Sequence, residues 1–211
     1  MKQQKSQLKQ SRSPKQQRSQ FTVAAILEAA THVFSEKGLK KATTNEIAER
    51  AGVSIGSLYQ YFPNKQALIT ELTQQHLTQM QEQITAGMEG SLELDLKESI
   101  EQLVRLTIDV HSANPDLHRV LLEDSKELLA ESVIEEFESA ILNLIHGYLV
   151  ILLGEDNARK LDIVGFILLN SLETLTHKAV LETHKYPRLL QEDKEAYIEE
   201  ITWLLTRYLT P

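Results

Sequence analysis

The segment Thr43–Leu68, TTNEIAERAGVSIGSLYQYFPNKQAL, predicts two short helices joined by a tight turn. Thr43 followed three residues later by Glu46 is typical of a capping box, which starts the first helix. Ala48 is small enough to let a second helix cross close by, and Gly52 can adopt the positive φ that a tight turn requires. This spacing is that of a helix-turn-helix, although any helical hairpin with a glycine turn can show it.

The second helix of this pair, over residues 54–61, carries small and polar side chains that do not form a buried face. Such a surface suits the major groove of DNA, where glutamine pairs with adenine and an aliphatic side chain meets the methyl group of thymine. We therefore expect Gln60 to contact adenine, Ser57 to serve several bases and Ile55 to meet thymine. Gly56 permits a close backbone approach. The candidate base-reading residues are Ser54, Ile55, Gly56, Ser57 and Gln60.

Phosphate groups are the expected partners of a second set of side chains. Thr44 lies at the start of the first helix, where free N–H groups favour an anion, and a simple capping role is its alternative. Lys65 falls in the first turn of the next helix, where a cation opposes the helix dipole, and this placement favours a phosphate partner. Tyr59 and Tyr61 flank Gln60, and core packing of the Tyr61 ring is the alternative to a role for its hydroxyl.

The stretch from residue 18 to residue 72 closely resembles the DNA-binding region of the TetR family of bacterial transcriptional regulators. The resemblance is carried by Gly-Val-Ser at 52–54, Gly-Ser-Leu-Tyr-x-Tyr-Phe at 56–62 and Asn-Lys-x-x-Leu at 64–68. It implies phosphate contacts for Tyr59, Tyr61 and Lys65. It also implies an all-helical body, a homodimer and repression as the default mode of regulation.

Charge is distributed unevenly along the 211 residues, whose net charge is −8. Residues 1–66 contain 11 Lys and Arg against 4 Asp and Glu, whereas residues 67–211 contain 11 against 26. A basic part on an acidic body suits a protein that presents one face to a polyanion such as double-stranded DNA. A basic tail on an acidic enzyme is the alternative that charge alone leaves open.

Three regions are predicted from these patterns. Residues 1–18 form a disordered basic arm, since they contain 6 Lys and Arg, 6 Gln and 3 Ser and too few apolar side chains to pack. This arm either contacts DNA or has no partner. Residues 19–66 form the helix-turn-helix DNA-binding domain, whose first helix ends near Gly38. Residues 67–211 form a helical effector-binding and dimerisation domain.

The expected fold class is all-α, with about nine helices in total, because apolar residues recur at helical spacing and strand alternation is absent. The sequence contains 0 Cys, which excludes disulfides and thiolate ligands. No apolar run has the length of a membrane span, and the basic N-terminal stretch lacks a secretory signal, so we expect a cytoplasmic protein. No catalytic motif is present, and we expect no enzyme activity, cofactor or metal.

The last two predicted helices, near 157–184 and 190–209, carry more apolar surface than one small core needs. Paired across a two-fold axis, these helices make a four-helix bundle. Symmetrical operator half-sites require such a two-fold axis of a helix-turn-helix protein. The expected dimer-interface residues are Leu168, Leu172, Leu175, Ile201, Leu204, Leu205 and Tyr208.

An effector pocket is expected between residues 75 and 180, where polar side chains interrupt apolar helices and can orient a small ligand. The candidates are Met80, Asn143, His146 and Asn170, whereas His111 and His118 are expected at the surface. The predicted function is a DNA-binding transcriptional regulator, a repressor released from a palindromic operator by a small-molecule effector. The alternative is a DNA-anchored helical interaction protein without a small-molecule switch.

Overall fold

The computed structural model describes residues 14–122, 131–154 and 160–210, and over these residues the chain forms ten helices and no strand. This confirms the all-α class, and the short helix α9 is the additional element. The helices are α1 Pro14–Lys41, α2 Thr44–Arg50, α3 Ile55–Tyr61, α4 Lys65–Gly90, α5 Leu96–Ser112, α6 Pro115–Leu122, α7 Glu131–Leu153, α8 Leu161–Leu181, α9 Pro187–Gln191 and α10 Lys194–Leu209.

The first helix starts earlier than the sequence predicts. α1 begins at Pro14, so residues 14–18 of the expected disordered arm are helical, whereas residues 1–13 lie outside the described residues. Lys, Gln and Arg have high helix propensity, and extending an existing helix costs far less than nucleating one. Gly38 has a φ of 71° and interrupts the helix where the sequence predicts its end, and the residues up to Lys41 add one further turn.

The chain divides between Leu68 and Ile69 into two compact units. In the first unit α1 packs on α2, and α2 packs on α3. Apolar side chains from each helix meet in one small core, and this core fixes the orientation of the short helices α2 and α3. Its fully buried members include Ile26, Ala30, Phe34, Ile47, Leu58 and Leu68.

The second unit is centred on α5 and α8. α5 packs against α8 and α10, and α7 packs against α8. Arg105 of α5 also binds Glu195 of α10, with Nη2 and Oε2 2.6 Å apart, so an ion pair supports the same helix pair at the surface. One apolar core therefore joins four helices. The face that α5 contributes to it consists of Ile100, Leu103, Val104 and Ile108.

Helix α7 contains a segment, Val133–Leu153, that is long and apolar enough to cross a membrane by length and composition. In this structure one side of it, with Ile141, Ile145 and Leu149, is buried in the core of the second unit. The hydroxyl of Tyr148 forms a buried hydrogen bond with the hydroxyl of Ser91. One side of α7 is thus used in packing, whereas only 22% of its most apolar window is buried.

Most of the expected dimer-interface residues lie in the core of a single chain. Leu168, Leu172, Ile201 and Leu205 are buried in that core, and Leu175 and Tyr208 pack against it. Only Leu204 is exposed, at 49%. The correction has a simple cause: α8 and α10 are apolar on two faces, and helical spacing does not say which face turns inward. The outward apolar side chains of these helices are Ile163, Phe166, Ile167, Trp203 and Leu204.

A truncation of Leu168 tests its assignment to the core. Leu168→Ala should lower the free energy of unfolding by about 2–5 kcal/mol, because it leaves a cavity at a fully buried site. Ile151→Ala, at a position that is 62% exposed, should change it by less than about 1 kcal/mol. Urea unfolding followed by circular dichroism measures both, and equal losses would contradict the assignment.

Candidate nucleic-acid interface and a histidine-lined cavity

Helix α2 begins with the predicted capping box, which the structure confirms. The backbone N–H of Glu46 donates to Thr43 Oγ1 at 3.3 Å, and the N–H of Thr43 donates to Glu46 Oε2 at 3.0 Å. Lys37 of α1 donates to the other carboxylate oxygen of Glu46 at 2.5 Å. The bonds from Lys37 and then Thr43 hold the pKa of Glu46 below its usual value. The start of α2 is therefore fastened to α1.

The turn between α2 and α3 depends on Gly52, whose φ is +68°. This left-handed conformation is costly for residues with a Cβ atom, so glycine is required here. The N–H of Gly52 donates to Glu49 O at 3.1 Å, and the N–H of Val53 donates to Ala48 O at 3.0 Å. These bonds close the end of α2 and set the direction in which α3 leaves.

Helix α3 is attached to the first unit by one fully buried side chain, Leu58. Ser54 caps the helix, because its Oγ accepts the backbone N–H of Ser57 at 3.0 Å and lies 2.9 Å from Ser57 Oγ. The hydroxyls of Ser54 and Ser57 are thus already engaged with each other, a local role that the sequence analysis missed. The exposed side chains of α3 are Ile55, Tyr59, Gln60 and Tyr61.

Two of the predicted phosphate-binding residues meet across the turn. Thr44 Oγ1 of α2 lies 3.0 Å from the hydroxyl of Tyr59 on α3. Thr43, not Thr44, caps α2, so the Thr44 side chain is available for this contact. Tyr61 is exposed at 36%, and its ring is therefore not packed in the core. The result is a surface with two adjacent hydroxyl groups beside the exposed face of α3.

Lys65 has an additional partner that the sequence does not reveal. Its ammonium donates to the carbonyl oxygens of Leu39 at 2.6 Å and Ala42 at 3.1 Å. These carbonyls lie at the end of α1, where unpaired acceptors favour a cation. Asn64 caps α4 by accepting the N–H of Ala67 at 2.9 Å. Two of the three ammonium protons of Lys65 are thereby used inside the first unit.

The second unit encloses a cavity of about 220 Å³ lined by α4, α5, α6, α7 and α8. Most of the lining is apolar. Of the four predicted pocket residues only Met80 lines this cavity. Asn143 is exposed, His146 Nδ1 lies 2.8 Å from Asp162 Oδ1, and Asn170 Nδ2 donates to Phe166 O at 2.8 Å. In these three cases the polar side chain lies on the side of an apolar helix that faces away from the cavity.

The polar part of the cavity is a cluster of four histidines, one each from α4, α5, α6 and α8, named here the histidine cluster: His76, His111, His118 and His177. Their ring centroids lie between 4.9 and 5.4 Å apart in contacting pairs. His111 and His118, expected at the surface, are 3% and 1% exposed. Helical spacing could have predicted this burial, because His118 shares a helix face with Leu121 and His111 shares one with Ile108.

Burial lowers the pKa of three of these imidazoles, those of His76, His111 and His118. Desolvation, followed by the charges of His177 and His76, lowers the pKa of His111 to about 4. Desolvation, followed by the charges of His111, His76 and His177, lowers the pKa of His118 to about 2. Burial also lowers the pKa of His76. Over the described residues, no three His, Asp or Glu side chains are arranged to hold a metal ion.

The arrangement of the first unit matches a known family along most of its length. A model described as bacterial regulatory proteins, tetR family, matches residues 26–72, and a model of the tetracyclin repressor-like C-terminal domain matches residues 95–209. The chain belongs to the tetR family of bacterial regulatory proteins. The family is one of DNA-binding regulators, and the first match covers α2, α3 and the turn between them.

Similar tetR-family relatives include the HTH-type transcriptional regulator YvdT of Bacillus subtilis, 43% identical over 31% of this chain and 34% of that protein. The HTH-type transcriptional repressor KstR2 of Rhodococcus jostii is 28% identical over 50% of each chain. The nucleoid occlusion factor SlmA of Haemophilus influenzae is 32% identical over 46% of this chain and 44% of its own. The matches thus span about a third to a half of these relatives.

A solved structure extends the likeness to the whole fold. The transcriptional regulator FadR of Bacillus subtilis, in complex with stearoyl-CoA, has a TM-score of 0.68 to this chain at 19% identity. The similarity covers 87% of this chain and 97% of that one. At this identity the likeness concerns the tetR-family fold alone.

The histidine cluster predicts a pH dependence of stability. Between about pH 6.5 and about pH 4 the unfolded chain binds protons that folded His111 and His118 do not, so stability falls as the pH falls through this window. His118→Gln should reduce the loss between about pH 6.5 and about pH 5 by about 1–2 kcal/mol. Urea unfolding at the two pH values measures this loss.

The matched control for this measurement is His184→Gln, at an exposed position that does not line the cavity. It should lose as much stability on acidification as the unmodified protein. An unchanged loss in His118→Gln would mean that His118 binds its proton equally well in the folded and the unfolded state.

Proposed function

We propose that this chain is a transcriptional repressor that binds a palindromic operator as a homodimer and is released by a small molecule in the cavity of the second unit. The observation that carries the DNA-binding part is the outward face of α3. Leu58 anchors this helix, while Ile55, Tyr59, Gln60 and Tyr61 remain exposed. A short helix held by one side chain and exposed elsewhere has the form of a recognition helix in a major groove.

Gln60 is the candidate for direct base reading, since its amide can pair with adenine N6 and N7. Ile55 lies one turn earlier on α3, is 37% exposed and can meet a thymine methyl group. The Cα of Gly56 faces open space, because an added Cβ would meet only Ser54 Oγ, at 3.9 Å. The groove floor can therefore approach α3 closely at this point.

The hydroxyl pair of Thr44 and Tyr59 is the candidate phosphate contact beside this reading face. Each hydroxyl already holds the other at 3.0 Å, so their positions are set before DNA arrives. The exposed cations Lys40 and Lys41 in the last turn of α1 add positive potential. Lys65 contributes its charge and its remaining ammonium proton, because its other two protons are used at Leu39 and Ala42.

The homodimer is assigned to the outward apolar faces of α8 and α10. Five large apolar side chains there are between 39% and 61% exposed, and exposed apolar side chains that cluster on a surface are typical of interfaces. A two-fold axis through α8 and α10 pairs them with their copies. The proposed interface residues are Ile163, Phe166, Ile167, Trp203 and Leu204.

The ligand part of the proposal is supported by the cavity of the second unit. A largely apolar concave space with a few polar groups is the usual form of a small-molecule site. The repressor KstR2 and the FadR structure with stearoyl-CoA support repression and an organic ligand in this family. Such a ligand releases DNA only if it binds the DNA-free conformation more tightly, and about 1.4 kcal/mol of preference changes DNA affinity about tenfold. The protein would act in the cytoplasm, beside the chromosome.

A second candidate function is a DNA-anchored interaction protein without a small-molecule switch. The similarity to the nucleoid occlusion factor SlmA over 46% of the chain favours it. The two candidates share the DNA-binding unit and differ in the use of the cavity. Ligand titration into the DNA complex therefore separates them: release of DNA supports the repressor, and indifference to every cavity ligand supports the interaction protein.

Selection of bound fragments from random DNA tests the reading face. Gln60→Ala should lose preference at one base step and cost roughly 1–3 kcal/mol at the selected site. Tyr59→Phe should weaken binding to all sequences alike, because it removes one hydroxyl from the phosphate contact. Fluorescence anisotropy on the selected and scrambled sites measures both effects.

Gln79→Ala is the matched control for the glutamine substitution, since Gln79 is exposed on α4 outside the candidate interface. It should bind DNA as the unmodified protein does. If Gln60→Ala lowers affinity for every sequence equally, the assignment of Gln60 to base reading is wrong.

Sedimentation tests the proposed interface. Phe166→Glu combined with Trp203→Glu should give monomers with unchanged helix content, because both side chains are exposed in the single chain, at 57% and 61%. Phe21→Glu, at an apolar position of α1 that is 76% exposed, should leave the dimer intact. A double variant that still sediments as a dimer would place the interface elsewhere.

A further inference from the structure

The histidine cluster offers a ligand one hydrogen-bonding atom that has no partner inside the protein. His118 Nε2 is buried and unpaired, and His118 lines the cavity with His111 and His177. His118 is only 1% exposed, so bulk water does not satisfy this atom. Buried polar groups are almost always paired, so this atom requires a partner from outside the chain, either a water molecule or a polar group of a ligand.

The hydrogen bonds of His111 decide which of its ring nitrogens carries the proton. The single hydroxyl proton of Thr176 is donated to the carbonyl oxygen of Leu172 at 2.8 Å. Thr176 Oγ1 therefore accepts at its 3.3 Å contact with His111 Nδ1, and this nitrogen must be the N–H. His111 Nε2 is consequently an acceptor.

His118 can present a hydrogen-bond donor, which complements the acceptor on His111. Its Nδ1 lies 2.8 Å from Nε2 of His76, and one of these two nitrogens donates to the other. When His76 donates, His118 Nδ1 is the acceptor and Nε2 carries the proton. The cavity then shows an acceptor on His111 and a donor on His118, on rings whose centroids are 4.9 Å apart.

The remainder of the cavity is apolar and requires an apolar ligand body. Its wall is formed by side chains such as Leu77, Met80, Met88, Leu103, Phe137 and Ile145. The volume of about 220 Å³ exceeds the roughly 150 Å³ of an engineered apolar cavity that binds benzene. A small organic molecule with one polar end therefore fits, with that end at the histidine cluster.

We propose that this cavity binds an apolar monocarboxylic acid, whose carboxyl group lies between His111 and His118 and is taken up together with one proton. The inference rests on the proposed ligand-controlled function and names the chemical class of that ligand. A carboxyl group supplies both a donor and an acceptor, as the two rings require. Because the acid enters as an anion plus one proton from water, the occupied cavity gains no net charge.

The charges around the cluster favour an acid over an amine. The rings of His76, His111 and His177 contact the ring of His118, and the acidic groups that line the same cavity are Glu138 of α7 and Glu173 of α8. Both glutamates are exposed, so water screens them and neither is a buried counter-ion for an ammonium group. A carboxylate, by contrast, can share its proton with any of four adjacent imidazoles. Burial and then the charges of neighbouring histidines lower the pKa of His111 and His118, so these two rings are uncharged without a ligand.

Calorimetry with a matched head-group series on the full chain tests the proposal. Octanoate, octan-1-ol and octylamine are titrated in buffers that contain EDTA, which keeps metal ions off the histidines. Octanoate should bind tightest and take up about one proton, as shown by two buffers of different ionisation enthalpy. Between about pH 6.5 and about pH 8.5 its affinity should fall about tenfold per pH unit, since the free acid is ionised and the bound acid is paired with a proton.

Two variants locate the head group. His118→Gln and His111→Gln should each lower octanoate affinity at least about tenfold, because each removes one of the two rings that pair with the carboxyl group. His184→Gln, exposed and outside the cavity, should bind octanoate as the unmodified protein does. If either cavity variant fails to fold, the head-group series on the unmodified chain decides the question alone.

The outcomes separate this proposal from the proposed function. Octanol or octylamine binding as tightly as octanoate, or octanoate binding without proton uptake, overturns the acid assignment. If octanol alone displaces the neutral dye N-phenyl-1-naphthylamine, the acid assignment is also wrong. The proposed ligand-controlled function then still stands, because the cavity binds a small molecule. Failure of the dye and of all three probes to bind overturns the acid assignment and the ligand part of the proposed function together.

Discussion

The burial of Leu58 is the constraint on which the DNA-binding unit depends. It is the one fully buried side chain of α3, and the helix has only seven residues. With one anchor, every other side chain of the helix is free to face outward. The capped turn at Gly52 fixes the direction of α3, and the bonds of Lys37 and Arg50 hold α2 to α1. The hydrogen-bonded and buried part of this unit lies beneath the surface that is proposed to meet DNA.

The second unit follows a different principle, in which polar groups are buried instead of exposed. Four imidazoles from four helices converge at one end of an apolar cavity. Burial lowers the pKa of His111 and His118, so these two rings are neutral at physiological pH and their burial becomes unfavourable in acid. A histidine cluster of this kind responds to any bound molecule that changes the protonation of its imidazoles.

Local features of the fold could be predicted from the sequence, and features that join distant residues could not. The capping box at Thr43, the interruption at Gly38 and the outward face of α3 each depend on residues within one or two turns. The bond from Lys65 to Leu39 spans 26 residues, and no spacing rule reports it. The orientation of α8 was also hidden, because both of its faces are apolar. The burial of His118 was not predicted because histidine is polar, although the leucines on the same helix face indicate a buried position.

The bonds from Lys65 to the end of α1 make the helix-turn-helix a closed loop. The chain leaves α1 at Leu39, passes through α2 and α3, and returns to the same point 26 residues later, where the ammonium joins the two ends. A loop of this length has a closure entropy of only about 3 kcal/mol, and α2 and α3 lie within it. Within this loop the backbone bonds that close the turn between α2 and α3 join residues only three to five positions apart, and short-range contacts favour rapid folding. The reading face would therefore be recovered quickly after local opening.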